Sequence, residues 1–124
     1  MSQAYVLLAH GSRRAASNDE VMALASALGE RLQAPVVAAF IEQTQPDLEA
    51  ACATLIVAGA SRIAVLPYLL AAGRHLAEDI PALVSACQQR WPTLPITISP
   101  HVGGAPLMVE LLANLASGGA NADT

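Results

Sequence analysis

Tyr5-Val6-Leu7-Leu8-Ala9-His10-Gly11-Ser12-Arg13-Arg14 decides the fold. An apolar run suited to a buried strand stops at a histidine, a glycine and two arginines, and a strong helix signal follows. Apolar strand, polar turn and amphipathic helix is how an α/β site begins, because ligands collect outside the carboxyl ends of parallel strands. What else reaches the edge occupied by His10 becomes the central question.

Outward from this stretch, strands and helices alternate. The first strand is read as Ala4 to Ala9. Ser17-Asn18-Asp19-Glu20 has the form of a capping box, and Val21, Leu24, Leu28 and Leu32 recur at helical spacing, so a helix is expected over about residues 17–32. Pro35 ends it. Val36 to Ile41 reads as a second buried strand with Glu42 at its carboxyl end. Pro46 marks the start of a second helix (Leu48, Cys52, Leu55, Ile56), and Gly59 is its left-handed cap. Ile63 to Leu66 is a third strand closed by Pro67. After the segment Tyr68 to Leu76, Asp79 is expected to cap a third helix with Pro81 in its first turn and Ile80, Leu83, Val84, Cys87 and Trp91 as its apolar stripe. Ile96-Thr97-Ile98 is a fourth strand between Pro95 and Pro100. His101-Val102-Gly103-Gly104 is a loop, Pro106 opens a last helix to about Ala116, and residues 117–124 have tail composition.

This βαβαβαβα pattern implies a parallel sheet with right-handed crossovers. We expect one α/β domain over residues 1–116: a three-layer, doubly wound fold with a four-stranded parallel sheet in the order 2-1-3-4, a flavodoxin-like half. Strands one and three are then neighbours whose connections leave in opposite directions. His10, His75 and Glu42 would meet at that switch point.

Composition narrows the function classes. Hydrophobic residues make up 54% of the 124 and charged ones 13%, which suits a well-packed chain or one hiding further surface in an oligomer. A net charge of −4 argues against nucleic acid as a partner, since phosphate backbones need a basic face. There is no lysine, and Arg13, Arg14 and Arg74 lie close to histidines; Arg31, Arg62 and Arg90 fall at or after helix ends, where the dipole favours cations. Cys52 and Cys87 form no CxxC pair and read as buried thiols of a reducing compartment. With no basic leader and no apolar run near the ~20 residues that span a bilayer, the expectation is a cytoplasmic protein without a membrane partner.

Two imidazoles and a carboxylate at one open edge suit a divalent transition metal and leave coordination positions for exchange. Blander readings stand beside this one. His10 could hydrogen-bond the turn, Glu42 could be a solvated charge, and His75 could be exposed and idle. Arg13 and Arg14 could hold a phosphate, although AHGSRR lacks the glycine pattern of a P-loop or dinucleotide fingerprint. Any of the arginines could pair with Asp19 or Glu78. His101 is read as structural.

These residues carry a family resemblance. Leu7 to Arg13, Phe40-Ile41-Glu42 with Pro46, and Leu66-Pro67-Tyr68-Leu69-Leu70-Ala71-Ala72-Gly73-Arg74-His75 continuing to Asp79-Ile80-Pro81 resemble the short sirohydrochlorin chelatases of the class II tetrapyrrole chelatase family. Pro100 to Leu107 adds a weaker match, and the likeness extends to about Leu115. It implies ATP-independent insertion of a divalent metal into sirohydrochlorin in cobalamin- or siroheme-type biosynthesis. Cobalt is the first expectation and Fe2+ or Ni2+ the alternative; a non-catalytic metal or tetrapyrrole carrier would use the same residues.

By matching positions, the resemblance implies that His10 and His75 hold the metal and that Glu42 assists coordination or accepts a pyrrole proton. Arg13, Arg74, Ser12 and Gly73 would meet the macrocycle and its carboxylates. No permanently bound cofactor is expected; the metal is a substrate. Most relatives carry two such halves where this chain has one, which implies a homodimer with the tetrapyrrole between subunits.

Overall fold

Four short strands, each an almost unbroken apolar run, form a parallel sheet in the order β2-β1-β3-β4 in the computed structural model, which describes residues 2–118. β1 (Gln3–Ala9) pairs with β2 (Val36–Phe40), with Tyr5 opposite Val36 and Ala9 opposite Phe40. On its other side β1 pairs with β3 (Arg62–Pro67), with Gln3 opposite Arg62 and Leu8 opposite Pro67. β4 (Ile96–Ile98) adds to β3 through Ile63 and Ile96. The expected class and strand order are both realised.

Alternation along β1 splits the core into two layers. Ala4, Val6 and Leu8 pack with Ile63, Val65 and Ile96 beneath α2 (Leu48–Val57) and α3 (Ile80–Arg90). Leu7 and Ala9 face the opposite layer with Ala38, Phe40 and Ala25 of α1 (Ala15–Leu32). Asp47 caps α2 by accepting from the Ala50 N–H at 2.9 Å. Gly59, at φ +104°, closes that helix in a Schellman motif: its N–H donates to Ile56 and that of Ala60 to Leu55. The α3 stripe is as expected, with Ile80, Val84 and Cys87 buried.

Four local expectations need correction. The Ser17–Glu20 capping box does not form: α1 starts at Ala15 behind Arg14, and no side chain caps it. The Arg14 carbonyl already accepts from the Ser17 N–H at 3.1 Å, so Ser17 lies within the first turn. The buried face of α1 also differs. Asn18 and Ala25 are buried, whereas Leu24 and Leu32 are 42% and 40% exposed. Asp79 has helical φ and ψ and makes no side-chain cap bond, because a π-helical turn (His75–Asp79) precedes α3. Arg62 opens β3 instead of ending a helix. Arg90 does end one, but it also pairs with Glu49 of α2 and lies 4.5 Å from the Trp91 ring centroid.

Cys52 and Cys87 are free and buried side by side between α2 and α3. Burial pushes the Cys52 thiol up to about 12, with Cys87 adding to the shift. Burial also raises Cys87, partly offset by its hydrogen bond with Cys52.

The layers are covered unequally. α2 and α3 close one face of the sheet, but α1 alone serves the other. α4 (Leu107–Ala116) has no buried residue and touches chiefly the 3-10 turn Val102–Gly104 that precedes it. Leu107, Val109, Leu111, Leu112 and Leu115 are 51–76% exposed. An apolar groove of about 400 Å³ remains between α1 and the ends of β1 and β3, lined by Leu7, Leu24, Leu28, Leu66, Tyr68 and Val102 among others. No helix among the described residues is long and apolar enough to cross a membrane. Most of the expected 117–124 tail lies outside the described residues.

Candidate functional site at the carboxyl edge of the sheet

Pairing between the first two strands continues past their formal ends. Ile41 N–H donates to the Ala9 carbonyl at 2.9 Å, and Glu42 N–H to the His10 carbonyl at 3.0 Å. Two extra rungs therefore bring His10 and Glu42 alongside each other. Their side chains meet, with Nε2 of His10 2.7 Å from Oε2 of Glu42, and each is about half exposed, at 49% and 50%. The sheet thus holds an imidazole and a carboxylate in contact where a solute can reach both.

Gly11 permits this approach. Its φ of +99° is a conformation L side chains rarely adopt, and a Cβ there would overlap the Glu42 carbonyl oxygen. The following residue is clamped from the helix side. Asn18 Oδ1 accepts from the Ser12 N–H at 3.0 Å, and its Nδ2 donates to the Ser12 carbonyl at 2.8 Å. Ser12 Oγ in turn accepts from the Arg14 N–H at 3.0 Å. Sequence reasoning missed Asn18; the signal was an amide in a helix's first turn that falls on the face turned inward.

The third strand ends at the same edge, where Tyr68 N–H donates to the Leu8 carbonyl at 2.8 Å. Beyond it Leu70, Ala71, Ala72, Gly73 and Arg74 are exposed. This loop leans on the one after β4: Gly103 N–H donates to the Leu69 carbonyl at 3.0 Å, and a Cβ on Gly103 would overlap the Leu70 carbonyl. That support was also missed. His75 opens the π-helical turn, a feature often found at functional sites. Its side chain, the second expected metal ligand, lies outside the described part of the structure.

Other expected residues are distributed unevenly. Ser12 flanks the His10–Glu42 pair. Arg13 and Arg14 are exposed beside it. Arg74 pairs with Glu78 one turn on, at 3.4 Å, with both side chains largely in solvent; the local pairing expected as an alternative is therefore present. Gly73 has open space around the position of a Cβ, so sterics do not require glycine there. His101 packs its ring against Gly104 and lines the apolar groove, in keeping with a structural role. Among the described residues no group of three or more His, Cys, Asp or Glu converges on one metal position.

Chemically, the edge offers a nitrogen ligand touching a proton acceptor, without thiolates that would retain a metal. Comparisons with known proteins point the same way. A sirohydrochlorin cobaltochelatase of Methanocaldococcus jannaschii is 39% identical over 83 residues, 66% of this chain and 58% of that protein. A sirohydrochlorin ferrochelatase of Bacillus subtilis is 30% identical over 104 residues, 83% of this chain but only 40% of the relative's length. A solved CbiX protein of Marinobacter aquaeolei VT8, described as a cobalamin (vitamin B12) biosynthesis protein, superposes with a TM-score of 0.83 at 26% identity, covering 94% of this chain and 95% of that one. The family model named CbiX matches residues 4–117, and the chain therefore belongs to the CbiX family, among relatives named as sirohydrochlorin chelatases.

Proposed function

We propose that this protein inserts a divalent metal, Co2+ in the first instance, into sirohydrochlorin without ATP. The observation that carries this reading is the contact of His10 with Glu42 at the carboxyl edge, beside the loop that leads to His75. Metallation must remove two pyrrole protons, so the site needs a proton acceptor next to a ligand that can release the ion. Imidazole binds cobalt and iron exchangeably, and a carboxylate touching the ring is placed to take a proton as the metal moves into the macrocycle. His10 and His75 are assigned to the metal and Glu42 to the proton.

The macrocycle's carboxylates are assigned to Arg13 and Arg74, with Ser12 and Gly73 at its edge. Arg74 can exchange Glu78 for a substrate carboxylate at little cost, because exposed ion pairs are typically worth only about 0–1 kcal/mol. Cobalt stands first in this proposal and iron beside it, since relatives named cobaltochelatase and ferrochelatase both match the chain.

A homodimer belongs to the same proposal. What supports it is α4, apolar yet without a buried residue, and the open apolar groove lined in part by Val102 and Ala105 just before that helix. A second copy supplying α4 to the groove would cover both surfaces and close a cavity over the site.

Anaerobic mixing with sirohydrochlorin and Co2+, Fe2+ or Ni2+ in turn, following macrocycle absorbance, tests the reading. Multiple turnovers, fastest with Co2+, are expected. Uptake that stops at one equivalent per site would make the protein a carrier.

A further inference from the structure

We propose that Asn18 is a positioning residue for metal capture: its side-chain amide sets the place of the His10 imidazole by clamping the backbone of Ser12. The inference rests on the chelatase reading, and it adds a residue that lies one helix away from the reacting groups.

Asn18 is the one polar side chain buried among the described residues, at 8% exposure. A buried amide needs partners for its donor and its acceptor, and both are spent on one residue. Oδ1 takes the Ser12 N–H at 3.0 Å while Nδ2 gives to the Ser12 carbonyl at 2.8 Å. The orientation of the amide is fixed by this pairing, since the flipped form would set oxygen against oxygen and N–H against N–H. The amide thus does what a neighbouring strand would do and adds a rung three residues beyond the end of β1.

This rung anchors the loop from the helix side. From the β2 side, the Glu42 N–H holds the His10 carbonyl at 3.0 Å. Between the two anchors lies Gly11 at φ +99°, packed against the Glu42 carbonyl. With both ends held, the backbone carrying His10 has one arrangement, and its imidazole meets Glu42 at 2.7 Å. Without the Asn18 anchor, Gly11 gains freedom to pivot, because glycine has the widest range of backbone conformations. Ligand sets tolerate only about 0.5 Å and 10–20° of misplacement, so a hinge next to His10 acts on the metal. Asn18 itself is buried with its amide bonded to Ser12, so its effect runs through that backbone.

The test compares wild type with Asn18→Leu, which keeps the branched shape and loses both bonds, and Asn18→Asp, which keeps the acceptor for the Ser12 N–H but sets its second oxygen against the Ser12 carbonyl. Each is titrated with Co2+ alone, recording affinity and the visible d–d spectrum, and assayed for insertion with metal and sirohydrochlorin varied separately. Asn18→Leu is expected to weaken Co2+ binding and raise the metal KM about tenfold, while the sirohydrochlorin KM stays within about twofold, in line with the 10–100-fold cost of losing a group that orients a ligand. The Co2+ spectrum should shift, and Asn18→Asp, which opposes the Ser12 carbonyl, should shift it and raise the metal KM as well. Should Asn18→Leu fail to fold, Asn18→Asp carries the comparison. A lowered Tm with unchanged Co2+ affinity, spectrum and metal KM in wild type's range would reduce Asn18 to a fold stabiliser and overturn the inference alone. A wild type that never metallates sirohydrochlorin overturns the chelatase reading, and this inference with it.

Discussion

Nε2 of His10 and Oε2 of Glu42 stand 2.7 Å apart on adjacent strand ends, both about half exposed. When the imidazole is neutral and the carboxylate ionised, Nε2–H donates to Glu42 and the ring's lone pair lies on Nδ1. A carboxylate holding the second nitrogen of a metal-binding histidine fixes its tautomer and increases its basicity as a ligand. The same carboxylate lies within hydrogen-bond reach of the ring, so in the proposed reaction one contact would serve both capture and deprotonation.

Glu42→Gln separates those two tasks. The amide still offers an oxygen to Nε2–H but takes no proton, so insertion is expected to slow by about 10²-fold, the lower end of general-base contributions, while Co2+ affinity changes less. His10→Ala should lose both. Because these side chains are half exposed, unfolding free energies should stay within about 0.5 kcal/mol of wild type. Equal losses of affinity and rate in Glu42→Gln would make Glu42 a ligand only. Stopped-flow metallation with parallel Co2+ titration provides the measurement.

Gly11→Ala should damage fold and activity together. A non-glycine residue held at positive φ costs about 1–3 kcal/mol, and here the new methyl also overlaps the Glu42 carbonyl. A urea midpoint as high as wild type's, with full activity, would show that the His10 loop tolerates another conformation.

The homodimer is testable from both of its proposed surfaces. Burying one leucine is worth about 1.5–3 kcal/mol, so Leu111→Asp on α4 or Leu24→Asp beside the groove should each weaken association at least tenfold. Sedimentation velocity across micromolar concentrations is the readout. A wild type that sediments as a monomer throughout would remove the dimer from the proposal.

Stability should fall at alkaline pH because of the buried thiols. Cys52 is raised from 9.0 to about 12 in the folded protein, and Cys87 shifts in the same direction. Between those values the unfolded chain gives up thiol protons that the folded chain keeps, so stability is fully present below pH 9 and is lost as pH rises toward 12. Each thiol contributes a slope of up to about 1.4 kcal/mol per pH unit. Urea midpoints at pH 7, 9 and 10.5 should decline over the last interval, and Cys52→Ala should flatten that decline.

The sequence by itself determined the elements and their order. Runs such as Val36 to Ile41, bracketed by proline and polar turns, read as short buried strands, and their alternation with helices implies a parallel sheet for which 2-1-3-4 is the expected order and the one found. That order alone brings Glu42 beside His10, because side-chain position at a strand end follows from local geometry. Only the tertiary structure decided which faces are covered. Leu24 and Leu28 have helical spacing yet border an open groove, and α4 is apolar yet packs against almost nothing, because burial depends on which partner an element meets. Asn18 shows the same division. Its residue type and position suggest a helix start, but its task, satisfying both backbone groups of Ser12, exists only once α1 is laid against the sheet.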